Sequence, residues 1–219
     1  QLHDALLTLD SKQARELHDD MEQRTSWFQC LEPTLCDALY NFEPAATAKI
    51  TMLTPDRFDH VGVPGRKWQQ IISFAAALPR NHIPLVDWCA GKGHLSRMVQ
   101  SSQQEPVYSL EWDCELVAAG TALAKKQQRD IHYYHHDVMK TLPADCNSSN
   151  RMHIGLHACG ELHPQLLRHV TDSSACAVAL SPCCYHKITA DIYQPLSNAA
   201  QQSSLVLKRP DLHLAVQGT

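Results

Sequence analysis

With 219 residues and 44% hydrophobic content, the chain is long enough to bury one full core with an extension beside it. A formal net charge of −4 excludes the global positive field of a nucleic-acid or membrane-surface binder, leaving only a local basic patch open. No run of about 18 uninterrupted apolar residues predicts a membrane span, and no basic-then-apolar leader opens the sequence, so a cytoplasmic protein with no membrane partner is expected. Nine cysteines, an odd number, predict reduced thiols rather than a disulfide frame. The sequence starts at Gln1 and stops at Thr219 just after an apolar stretch, which reads as a piece of a longer polypeptide with its last strands truncated.

Residues 1 to about 45 carry helical spacing. Leu2, Ala5, Leu6 and Leu9 recur at three and four, Asp10-Ser11 interrupts, and Ala14, Leu17 and Met21 continue. A further helix is expected from Pro33 through Tyr40. Pro44, Pro55 and Pro64 with Gly62 and Gly65 break any long element between Asn41 and Gly65. Residues 1–63 therefore read as a helical extension with its connector, and 64–219 as the main domain. The extension either lies against the later sheet, reaching over its ligand, or forms a helical subdomain away from any site. A helix follows from Trp68 to Leu78, with Trp68, Ile71, Ile72 and Ala75 on one face. Arg66 and Lys67 sit at its start against the helix dipole, facing an anionic ligand or solvent.

From Ile83 on, strands and helices alternate, which predicts an α/β fold with a parallel sheet. The strands are Leu85 to Trp88, Val107 to Leu110, Ile131 to His135, Met152 to Leu156 and Ala175 to Leu180. Helices are expected over His94 to Gln100, Glu115 to Gln128, Glu161 to His169 and Asp191 to Gln202, and Pro164 is tolerable because it falls in a first turn. Residues 205–207 and 212–216 read equally as strand or helix.

In an open parallel sheet a ligand lies beyond the carboxyl ends of the strands, and here each strand ends in chemistry. The first runs into Asp87-Trp88-Cys89-Ala90-Gly91-Lys92-Gly93. Gly91 and Gly93 let backbone N–H groups approach a ligand, and the next helix start adds a partial positive end. A dinucleotide fold places G-x-G-x-x-G here instead. An ordinary strand-turn-helix remains the plain alternative. Glu111, at the end of the second strand, is placed to accept hydrogen bonds from ribose hydroxyls unless it simply faces solvent. Asp137 ends the third, where it either accepts from an adenine amino group or caps a helix. Trp112 and Val138 are placed to sandwich the ring, with core packing as the alternative for Val138.

The Asp87 loop resembles the D-x-G-x-G-x-G motif of class I S-adenosylmethionine (SAM) methyltransferases, with Cys89 standing where that motif has its first glycine. With Gly155-Leu-His-Ala-Cys-Gly-Glu-Leu and Ser181-Pro-Cys-Cys-Tyr-His-Lys, it resembles the methyltransferase-domain family that includes the glutathione S-transferase C-terminal-domain-containing protein. More loosely, the three motifs are similar to those of the eukaryotic 2′-O-methyltransferase acting on the tRNA acceptor stem. The likeness covers about residues 64–217. It implies a Rossmann-like three-layer fold, SAM as cofactor bound by Asp87, Cys89, Ala90, Gly91, Gly93, Glu111, Trp112, Asp137, Val138 and His157, and an RNA acceptor. A protein or small-molecule acceptor and a non-catalytic SAM-binding scaffold are the alternatives. The sequence is silent on oligomeric state.

His157, Cys159, Cys183 and His186 border the place where a methyl acceptor would stand and are the candidate catalytic groups. They are read as pocket-shaping groups, with a histidine serving as base or orienting donor. Zinc binding through Cys159, Cys183, Cys184 and a histidine is disfavoured by the adjacency of Cys183 and Cys184, and no metal is expected. Thiolate attack on a pyrimidine ring and buried, inert thiols complete the readings. His132, His135 and His136 alternate and abut on a strand, so they read as surface or packing histidines. Arg66, Lys67, Lys92 and Arg97 are the candidate basic rim for RNA.

Overall fold

The computed structural model describes all residues except 1, 41–49, 51–52, 58, 81, 174 and 215–219. The chain forms two compact units, residues 1–47 and 48–219. The first carries helices α1 (Leu2–Thr8), α2 (Ser11–Asp19), α3 (Met21–Leu31) and α4 (Pro33–Tyr40). The interruption at Asp10-Ser11 is a capping box: Asp10 accepts from Lys12 N and Gln13 N, and Gln13 Oε1 accepts from Asp10 N. Asp20 caps α3 by a single hydrogen bond, its Oδ1 accepting from Gln23 N at 2.9 Å, so Met21 begins a new helix rather than continuing the previous one. The connector at Pro44 lies outside the described residues.

The second unit opens with α5 (Gly65–Ala77), three residues earlier than its apolar face announces. Five strands follow: β1 (Leu85–Trp88), β2 (Val107–Glu111), β3 (Ile131–His135), β4 (Met152–Leu156) and β5 (Ala177–Ser181). They form one all-parallel sheet in the order β3-β2-β1-β4-β5. Helices α6 (His94–Gln103), α7 (Cys114–Lys126) and α8 (Leu162–Ser173) are the crossovers.

Alternation along the strands sorts the core into two layers. Leu85, Val107, Met152 and Ile154 pack with Ile71 and Ala75 of α5 and Met98 and Val99 of α6. Val86, Trp88 and Leu110 pack with Leu166 of α8 and with Val138 and Leu142 from the loop after β3. The result is the expected Rossmann-like α/β sandwich of three layers. After β3 the chain crosses from one side of β1 to the other, so the switch point falls between β1 and β4, and the loops that follow these two strands form the crevice.

The C-terminal part departs from expectation. Instead of a helix over 191–202, Ile192 forms an antiparallel bridge to Lys208, and only α9 (Asn198–Gln201) is helical. Pro195 keeps Gln194 out of the helical region, and Ser197 caps a fresh start through Ala200 N at 3.2 Å. Residues 209–214 form the short helix α10 (Arg209–Leu214); 215–216 lie outside the described residues. No helix among the described residues is long and apolar enough to cross a membrane.

Candidate active site

The loop after β1 is built on a buried polar floor. Asp87 is 2% exposed, its Oδ2 accepts from Ser96 Oγ at 2.6 Å, and Ser96 Oγ shares a 2.8 Å hydrogen bond with Ser109 Oγ. Burial pushes the Asp87 carboxyl up to about 7, the Ser96 hydrogen bond opposing and Glu111 adding to the rise. Above this floor the backbone is left-handed at Cys89 (φ 57°), Gly91 (φ 58°) and Gly93 (φ 67°). The two glycines are there for different reasons. A Cβ on Gly93 would coincide with the Tyr133 hydroxyl, whereas one on Gly91 would enter open space. Gly91 is therefore the position where the backbone itself faces the crevice.

A cavity of about 360 Å³ lies beside this loop, bordered by Cys89, Glu111, Trp112, Asp137 and Val138, all of them sequence candidates. Leu110, His136 and Leu162 complete its wall. His136 had read as a surface or packing histidine. Its Nε2 is buried with no hydrogen-bond partner among the described residues.

Glu111 does more than face a ligand: Oε2 accepts from Gly91 N at 2.8 Å, and Oε1 from Trp112 N and Asp113 N at 2.9 and 3.1 Å. Three of about four lone-pair positions are thus used to clamp the loops after β1 and β2, leaving room for a hydroxyl. Asp137 Oδ1 accepts from Met139 N at 3.0 Å, fixing the turn while the residue borders the cavity. Val138 is buried in the core layer with Val86, Trp88 and Leu110 and lines the same space. Trp112 is 75% exposed and borders the same cavity.

Cys89 is shared with a smaller cavity of about 70 Å³, whose lining includes Lys67, Asp87, Ala90, Gly91, Lys92 and His157. His157 ends β4 in a left-handed bend (φ 64°), the counterpart of Cys89 on the adjacent strand. Its Nε2 lies 2.9 Å from Gln70 Oε1 of α5, which assigns the ring proton to Nε2 and makes Nδ1 the acceptor nitrogen. Burial, with Lys67 adding, holds its pKa below the ordinary value, so the ring is neutral at neutral pH. Gln70 and Lys67 were not singled out together in the sequence. Their only signal is a separation of one helical turn on α5, which acquires meaning once β4 is placed.

The loops after β4 and β5 meet. His157 N donates to Ser181 O at 3.0 Å, and Gly160 N to Cys184 O at 3.2 Å. Cys159 donates to His157 O at 3.2 Å and approaches Cys183. Burial opposes its ionisation, but hydrogen bonds from the neighbouring thiols outweigh it and hold the Cys159 thiol below its usual value. Burial raises the Cys89 thiol to about 12, with Glu111 and Asp87 adding, so it stays protonated. His186 packs edge to face on His213 of α10 at 4.5 Å and lines neither cavity.

The basic rim is smaller than expected. Arg97 is 3% exposed, donating to Lys92 O at 2.7 Å and lying 2.8 Å from His94 Nδ1, so it braces the loop rather than facing solvent. Arg66, Lys67 and Lys92 are exposed.

A parallel sheet whose strand order reverses at β1 and β4, with a glycine loop, a β2 carboxylate and a β3 acid beside one cavity, is a Rossmann-like arrangement of the kind that holds a nucleotide-like ligand. The chain belongs to the methyltransferase-domain family, whose model matches residues 66–191, more than half of its length. Among solved structures it is similar to the YcgJ protein from Bacillus subtilis (16% identity over 47% of this chain and 44% of that one, TM-score 0.40). It is also similar to the Pyrococcus abyssi tRNA (uracil-54, C5)-methyltransferase in complex with S-adenosyl-L-homocysteine (12%, 52% and 28%, TM-score 0.42). A third likeness is to M. capricolum TrmK in complex with S-adenosyl-homocysteine (10%, 50% and 46%, TM-score 0.38). The chain spans less than half the length of each of these three proteins.

Proposed function

We propose that this protein transfers the methyl group of SAM to RNA. The enzyme class and SAM as methyl donor follow from family membership. The observation that carries the reading is that two neighbouring cavities with Cys89 in both walls place the strand-end acids and His157 beside the same loop. The residues fit SAM: the larger cavity is of ligand size, Glu111 keeps an acceptor position, His136 Nε2 has no partner among the described residues, and Gly91 leaves its side-chain space empty. When bound, SAM supplies a methyl group already activated by its sulfonium. What the chain contributes is position and proton handling. Glu111 and Asp137 accept from ribose and adenine, Trp112 covers the ring, and the loop 89–93 presents its backbone.

His157 serves as the base, its neutral ring oriented by Gln70 so that Nδ1 is the nitrogen that takes an acceptor proton. Cys159 and Cys183 shape the acceptor side. His186, held against His213, has no part in the proton step. An RNA acceptor is supported by exposed Lys67 and Lys92 at the small cavity with Arg66 adjoining, and by the looser resemblance to the tRNA acceptor-stem enzyme. A cytoplasmic setting accords with nine cysteines that are all free. The test is transfer of tritiated methyl from SAM to total RNA and, separately, total protein from cells lacking the gene. Label in RNA is expected; label in protein alone would refute the acceptor while leaving the class intact.

A further inference from the structure

The turns after β4 and β5 gather three thiols for which pocket shaping gives no sufficient reason. Cys159 Sγ lies 2.9 Å from Cys183 Sγ, Cys183 Sγ lies 3.6 Å from Cys184 Sγ, and all three sulfurs fall within 4.8 Å of one another. We propose that Cys159, Cys183 and Cys184 form a site for Zn²⁺, held by three thiolates with one coordination position open.

The geometry is close to what the ion requires. Tetrahedral bonds of about 2.3 Å space sulfurs about 3.8 Å apart. The Cys183–Cys184 pair already stands near that spacing, and the Cys159–Cys183 pair reaches it by opening about 1 Å. The framework holding the sulfurs is set by the backbone. Gly160 is left-handed (φ 58°), and a Cβ there would run into Lys187 O, so only glycine lets the two turns press together. Tyr185 N donates to Cys183 O at 2.8 Å and Lys187 N to Cys184 O at 3.0 Å, curling the β5 turn so that neighbouring residues aim both sulfurs at one point. Adjacency in sequence, an obstacle for a knuckle closed by local spacing, is thereby no obstacle when the third ligand comes from another strand.

Soft thiolates select Zn²⁺ over the hard cations, and the half-buried sulfurs are within reach of solvent. Among the described residues no histidine or carboxylate joins the three, so a bound ion keeps a position for water or an incoming group. Binding converts thiols to thiolates and releases their protons to solvent.

The experiment uses the full chain, purified under reducing conditions without chelator and measured for metal by mass spectrometry. About one Zn²⁺ per chain is expected, and replacement by Co²⁺ should give a strong thiolate-to-cobalt charge-transfer band. Cys159→Ser and Cys184→Ser should each lose that band and at least tenfold in affinity, while Cys176→Ser, whose thiol lies at the other end of β5 against Arg151 O, should keep both. Should the serine variants not fold, alkylation of the unmodified protein decides: three thiols protected with Zn²⁺ and exposed by chelator support the site. Metal content unchanged by Cys184→Ser, no cobalt band, thiols equally reactive with and without chelator, or a Cys159–Cys183 disulfide under these conditions would overturn it.

Discussion

Replacing Asp87 by asparagine tests the buried floor of the site directly. With a carboxyl raised from 3.8 to about 7, ionised Asp87 costs the folded state about 4 kcal/mol, at about 1.4 kcal/mol per tenfold change in proton affinity. The sign follows from which state holds the proton longer. Below about pH 4 both states are protonated and the raised value costs nothing. Between 3.8 and about 7 the unfolded chain ionises first, so the folded state loses stability as pH rises through the folded value. The amide that Asp87→Asn introduces does not titrate and can still accept from Ser96. The variant should therefore match the parent near pH 4 and exceed it by up to about 4 kcal/mol at pH 8. Denaturant unfolding across that pH range measures the difference. Parallel stability profiles, or a variant weaker at pH 8 than at pH 4 relative to the parent, would refute the buried-carboxyl argument.

Trp112→Ala should weaken SAM or S-adenosylhomocysteine binding about tenfold by calorimetry with an unchanged Tm, because the ring is exposed and contributes little to the core. Gly91→Ala places a methyl in open space, so it should lower cofactor affinity at a stability cost of only about 1–2 kcal/mol from the left-handed backbone. Gly160→Ala should cost more than about 2 kcal/mol in denaturant unfolding, since backbone strain adds to a collision with Lys187 O. Gln70→Leu should lower kcat with little change in KM for SAM and alter the acid limb of the pH–rate profile, because the amide acts through His157. An identical profile would remove Gln70 from the mechanism.

The five strands were legible because each is a short run closed by a polar turn, apolar or β-branched in most and aromatic in β3, and β3 and β4 fall where the pattern places them. That Glu111, Trp112, Asp137 and Val138 would border one space was legible for the same reason: a strand end fixes position in a parallel sheet. What could not be read is what depends on a helix face or on two distant turns meeting. Arg97 looked like a rim cation, yet His94 and the Lys92 carbonyl draw it inward. Gln70 carries no signal until α5 lies beside β4. The sequence grouped Cys159, Cys183 and Cys184 but disfavoured a metal there because Cys183 and Cys184 are neighbours; that all three sulfurs come within 4.8 Å of one another depends on the two turns meeting. Over 191–202, apolar spacing suggested a helix that Pro195 interrupts.

The matched bends at Cys89 and His157 have a consequence for how this protein would respond to engineering. Each holds a side chain in a conformation that costs about 1–2 kcal/mol for anything but glycine. Selection for thermal tolerance alone would drive both positions toward glycine. A library sorted for heat resistance and another sorted for turnover should therefore part company first at these two codons.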